Sequence, residues 1–168
     1  MVSEATPRPF SGLIVSCWFP HEGDITIPGP DLRPVLVVDI LKLGNSEKVV
    51  CAYGSAAKST GVNIPKLQGY QIEVQPSNTS GLKEITRFDF VKRFPLDWSD
   101  KWFIPSDCNP TARMGILNAS EKAAAIVAKQ VADNLIASDP QKKWPRPKVV
   151  LKIIRKRKHQ FGIESGQK

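Results

Sequence analysis

The chain has 168 residues, 41% of them hydrophobic and 24% charged, with a formal net charge of +8. Those values suit one soluble globular domain with an appendage, large enough to bury a core. They hold no run near the roughly 18 apolar residues of a membrane-spanning helix, which excludes one and leaves no membrane partner. The charge is uneven: Lys142 to Lys158 carries nine Lys or Arg and no acid, so the body is nearly neutral and the tail is the part suited to an anionic partner.

Residues 1–10 form a polar lead-in with prolines and no apolar run, unlike a signal peptide. Cys17, Cys51 and Cys108 are odd in number and lack zinc-type spacing, so we expect no metal site, no cofactor and a reducing, cytoplasmic setting. Gly12 to Phe19 reads as the first strand, stopped by Pro20, and the Gly- and Pro-punctuated stretch His21 to Leu32 as a loop. Arg33 to about Lys42 and Lys48 to about Tyr53 read as a hairpin buried on both faces, turning at Gly44-Asn45-Ser46. Antiparallel pairing would bring Arg33, at the mouth of one strand, close to Ser55, at the end of the other.

Ser55 to Leu67 is a polar loop, Tyr70 to Val74 alternates as a half-buried strand does, and Pro76 to Gly81 is a turn cluster. Leu82 to Phe94 holds one long strand or two short ones, with Arg87 and Asp89 on one face because they are two apart. Short strands at this spacing predict a small antiparallel barrel. Asn118 and Glu121 predict a capping box. Ala124, Val127, Ala128, Val131 and Leu135 follow at helical spacing until Pro140. The fold class is therefore mainly β (α+β). Its divisions are the lead-in, a barrel over 11–110, a helix within 111–140 and a basic tail over 141–168.

Cutting RNA without a metal needs a base for the 2′-hydroxyl proton, a cation for the phosphate and an acid for the leaving oxygen. His21, Arg33, Ser55, Lys58, Arg87 and Asp89 offer a candidate for each role. Their order and surroundings resemble the PemK/MazF family of toxin endoribonucleases, over about residues 11–104. The resembling pieces are Gly12-Leu-Ile-Val, His21-Glu22, Arg33-Pro-Val-Leu-Val-Val, Val50-Cys-Ala-Tyr-Gly-Ser55, Gly81-Leu82 and Thr86-Arg87-Phe88-Asp89. The Tyr-Gly-Ser turn and the late Thr-Arg-Phe-Asp are closest to its PemK-like branch.

The resemblance implies an SH3-like barrel that works as a homodimer, cuts single-stranded RNA to 2′,3′-cyclic phosphate ends and is held in check by a cognate antitoxin. It implies that Arg33 contacts the scissile phosphate, that Ser55 stands where many members have threonine, and that Arg87 and Asp89 supply acid and base with His21 assisting. The helix and the tail exceed the family's usual length.

Plainer readings stand beside these. Arg33 could pair with Asp31 or Asp39, Arg87 with Asp89, and Lys58 could be a solvated loop cation. In the tail, Lys142, Lys143, Arg146, Lys148, Arg155, Lys156, Arg157 and Lys158 are candidate phosphate contacts. Trp144 either stacks a base or anchors the tail on the barrel. The alternative to an enzyme is a non-catalytic relative that keeps the barrel and binds nucleic acid or protein.

Overall fold

The computed structural model describes residues 8–57, 65–103 and 112–146. In chain order the elements are β1 (Leu13–Cys17), β2 (Arg33–Leu43), β3 (Ser46–Ala56), β4 (Gln71–Val74), β5 (Thr86–Asp97), β6 (Arg113–Ile116) and helix α1 (Ala119–Ser138). The six strands form one sheet in the order β4-β5-β3-β2-β1-β6, with every neighbouring pair antiparallel. β-Branched runs such as Val35 to Val38 supply the stiff, pleat-filling side chains that strands favour.

The sheet curls because its edges meet through a turn rather than a strand pair. The Ile116 N–H donates to the Thr79 carbonyl at 2.9 Å, bringing the turn after β4 onto β6. That approach needs glycine: Gly81 has φ +66°, and a Cβ on Gly115 would lie 2.2 Å from the Thr79 oxygen. The buried Ser80 holds the turn, its hydroxyl donating to the Gln75 carbonyl at 3.0 Å. The expected small antiparallel barrel is thus a curled half-barrel with one helix packed on it.

Alternation splits the apolar residues into two clusters, one on each sheet face. One gathers Leu13, Val15, Cys17, Val35, Val37, Val49 and Cys51 beneath Phe19, Trp102, Phe103 and Trp144. Burial pushes the Cys17 and Cys51 thiols up, so both act as small hydrophobes. The other gathers Ile14, Leu36, Val38, Ile72, Val74, Phe88 and Phe90 against Ala128 and Ala132 of α1.

Three expectations need correction. The β2–β3 hairpin is not buried along its length. β1 pairs with β2 only as far as Leu36, so residues 39 and 41–47 of the hairpin end are exposed. Arg113 to Ile116 is a strand that no alternation announced; it exists because it completes the free edge of β1. The helix does begin with the capping box, Asn118 Oδ1 accepting from the Glu121 N–H at 2.9 Å and Glu121 Oε2 from the Asn118 N–H at 2.8 Å. Its buried stripe, however, is Ala128 and Ala132, while Ile126 and Val127 are 71% and 62% exposed. Alanine lets the helix axis sit close to the sheet, and an Arg93–Asp133 ion pair fixes that orientation.

Candidate active site

Strand register lays a polar row across the sheet. Tyr53 lies opposite Val35 on one side and Asp89 on the other; Ser55 lies opposite Arg87. Gln71 and Glu73 of β4 lie opposite Asp89 and Arg87. Arg33 is two residues before Val35 and Ser55 two after Tyr53, so these side chains share the face that is apolar at Val35, Val37 and Cys51. One end of that face is core and the other is charged.

A bulge shapes the charged end. The partner of Ala52 is Arg93 but that of Tyr53 is Asp89, so residues 90–92 of β5 are extra. Asp89 Oδ1 accepts from the N–H groups of Val91 and Lys92, at 2.9 and 3.0 Å, and Oδ2 accepts from Gln71 Nε2 at 3.2 Å. The bulge swings Lys92 over the ring of Tyr53, its Nζ 3.6 Å from the centroid, while the Trp144 centroid is 6.0 Å away. Burial pulls the Lys92 ammonium below its ordinary pKa; Asp89 and Glu22 work against that shift and Arg33 adds to it.

The other expected residues fall as follows. Arg87 is held on both sides, its Nε donating to Glu73 Oε2 at 2.9 Å and its Nη1 to the Pro65 carbonyl. Arg33 pairs with Asp31 at 3.0 Å, and its guanidinium carbon lies 5.5 Å from the Tyr53 centroid. His21 is exposed, and its Nδ1 accepts from the Gly23 N–H at 3.1 Å, which in the neutral ring puts the proton on Nε2. Lys58, Lys148, Arg155, Lys156, Arg157 and Lys158 lie outside the described residues.

Beyond α1, a 3-10 turn at Pro140–Lys142, capped by Asp139, sends the chain back to the polar row. Trp144 anchors this strap. It is 7% exposed, with ring centroids 5.0 Å from Phe19 and 5.6 Å from Phe94. A base could stack on it only if the strap lifted. Farther on, Arg146 pairs through Nε with Glu22 Oε1 at 3.4 Å.

Two cavities result. One, of about 430 Å³, is lined by His21, Glu22, Asp31, Arg33 and Tyr53; the other, of about 600 Å³, by Tyr70, Asp89, Lys142, Lys143 and Arg146. Lys92 and Trp144 line both. The structure therefore brings Arg33 and His21 to one cavity and Asp89 to the next, with Ser55 and Arg87 alongside in the row. Cations crowd acids there, an arrangement that can hold a phosphodiester and exchange protons around it. Sequence reading missed Lys92, which only the bulge joins to the site, and Tyr53, which shares a face with Ser55 two residues on. For Lys92 the one available signal was a carboxylate two and three residues before the N–H groups it caps.

No known family model matches the chain, and no curated protein matches its sequence. Among solved structures it is similar to an endoribonuclease in complex with its cognate antitoxin from Mycobacterial species. The two are 14% identical with a TM-score of 0.49, over 76% of this chain and 97% of that one. A likeness that distant carries no residue role across.

Proposed function

We propose that this protein is a toxin-like, metal-independent endoribonuclease that cleaves single-stranded RNA to 2′,3′-cyclic phosphate ends. The observation that carries the reading is the gathering of Arg33, Tyr53, Ser55, Arg87 and Asp89, from three strands, on one sheet face beside two cation-lined cavities. The PemK/MazF resemblance adds a homodimer and a restraining antitoxin.

In this mechanism the Arg33 fork leaves Asp31 and takes two phosphate oxygens, with Ser55 as a hydroxyl donor beside it. Asp89 uses Oδ2, the oxygen not committed to the bulge, to accept the 2′-hydroxyl proton as the 2′-oxygen attacks phosphorus. Arg87, fixed by Glu73, adds positive potential rather than moving a proton, since arginine does not deprotonate in proteins. His21 offers the phosphate a hydrogen bond from Nε2 and moves no proton, while the Gly23 N–H occupies Nδ1. Lys142, Lys143 and Arg146 follow the RNA backbone.

One observation favours a second reading, a non-catalytic nucleic-acid-binding module: both Asp89 oxygens and the Arg87 guanidinium are already hydrogen-bonded. Incubation of the protein with a long single-stranded RNA in excess EDTA, followed by sequencing of the new ends, separates the two. We expect reproducible cuts with cyclic phosphate ends, slowed about 10²–10³-fold by Arg33→Ala, the usual loss when one oxyanion donor goes. Folded wild-type protein that makes no cuts would leave only the binding module.

A further inference from the structure

We infer that Lys92 is the general acid of the proposed cleavage, giving its proton to the departing 5′-oxygen. This rests on the endoribonuclease reading and adds to it the one proton role that the expected residues leave unfilled.

The assignment comes from position. Of the groups lining the two cavities, Lys92 is the titratable one common to both, so it stands between Arg33 on one side and Asp89 on the other. A phosphodiester held by Arg33 is attacked in line, so with its 2′-hydroxyl toward Asp89 its leaving 5′-oxygen points to the opposite side of phosphorus, where Lys92, which lines the same cavity as Asp89, can face it. Among the described residues no carboxylate is paired with Lys92, whose ammonium is held over the Tyr53 ring instead. That leaves its protons undirected and open to a substrate oxygen.

The neighbours are poorer acids for structural reasons. Arg33 and Arg87 keep their protons at any ordinary pH. The loop between β1 and β2 brings His21, whose exposed ring is tied to the Gly23 N–H, and Glu22, which pairs with Arg146. The strap brings Lys142 and Lys143, both exposed, and Asp139, whose carboxylate caps its own turn. Tyr53 lies beneath Lys92 and Tyr70 lines the second cavity. Burial, by lowering the ammonium's proton affinity, moves it toward the range where an acid works near neutrality.

The step balances. Asp89 takes the 2′-hydroxyl proton; the bond from phosphorus to the 2′-oxygen forms as that to the 5′-oxygen breaks. The 5′-oxygen receives a proton from the Lys92 ammonium, leaving a neutral amine that recovers a proton from water.

The test compares ordinary RNA with RNA carrying sulfur in place of the scissile 5′-oxygen, a leaving group that departs without protonation. Lys92→Met, which keeps the apolar stem, should cut ordinary RNA about 10²–10⁴-fold more slowly than wild type, the usual contribution of a positioned acid. It should cut the sulfur-linked RNA within about tenfold of wild type. Wild-type kcat should fall at high pH along a limb set below the ordinary lysine value of about 10.4. Lys92→Arg, which keeps the charge and the RNA affinity, should lose that limb. Equal slowing of Lys92→Met on both substrates, no slowing on either, or an alkaline limb that survives in Lys92→Arg would each overturn the assignment while wild-type cleavage leaves the parent reading standing. Wild-type protein inert on both RNAs would overturn the parent reading and the role of Lys92 with it.

Discussion

At Asp89 a single carboxylate has both a structural and a chemical task. Oδ1 satisfies two N–H groups that the β5 bulge removes from the ladder, and Oδ2 faces Gln71 and the larger cavity. Asp89→Ala would orphan those N–H groups, which costs about 1–3 kcal/mol when they are part-buried. Asp89→Asn keeps an accepting oxygen, so it should cost less than about 1 kcal/mol while removing the base. Urea unfolding of both variants checks this, and equal losses would show that Oδ1 does not hold the bulge. The pairing of Arg87 with Asp89 on one face was legible, because a strand has a period of two. What each is bonded to was not. Glu73 reaches Arg87 from a strand fourteen residues earlier, and the bulge that occupies Asp89 depends on cross-strand register, which no local pattern encodes.

Helix α1 shows how local and tertiary signals divide. Its start was readable, since a capping box is a bond between residues three apart. Its face was not: periodicity favours the large residues Val127 and Val131, whereas the sheet admits the small Ala128 and Ala132. What orients the helix is Asp133, paired with Arg93 of β5 and with Lys129 at 3.2 Å. Burial works against its charge, but hydrogen bonds from Arg93 and Lys129 outweigh that and hold its pKa below the usual Asp value. A depressed pKa means stability that is present above the unfolded value of about 3.9 and lost as pH falls through the folded one. Asp133→Asn should therefore cost on the order of 1 kcal/mol between pH 5 and 8, a modest figure because the side chain is 38% exposed. The gap from wild type should close below about pH 4. Denaturant unfolding across pH would show it, and a gap that persisted under acid would assign the helix contact to packing instead.

Across the whole molecule, charge and fold are laid out together. The apolar end of one sheet face is core, its polar end carries Arg33 and Asp89, and the strap draws Lys142, Lys143 and Arg146 to that end, fastened by Trp144. The basic tail was visible in the sequence as a run of cations, and anchoring by Trp144 as one of two readings; where residues 142–146 dock was not, since that depends on Trp144 finding the gap between Phe19 and Phe94. If the strap guides RNA, its lysines neutralise phosphates and release counterions, and each such contact adds about 0.7 to the salt slope for a single strand. Lys142 and Lys143 are exposed, so changing both to alanine should shift stability by no more than about 0.5 kcal/mol per site. Titration with a 2′-O-methyl RNA, which cannot be cut by 2′-hydroxyl attack, isolates binding from cleavage. The double variant should lower the slope of log affinity against log salt by roughly 1.4, the sum of two contacts. An unchanged slope in a folded variant would place both lysines away from the phosphates and leave the electrostatic grip on the strand to other cations, Arg33 and Lys92 inside the cavities among them.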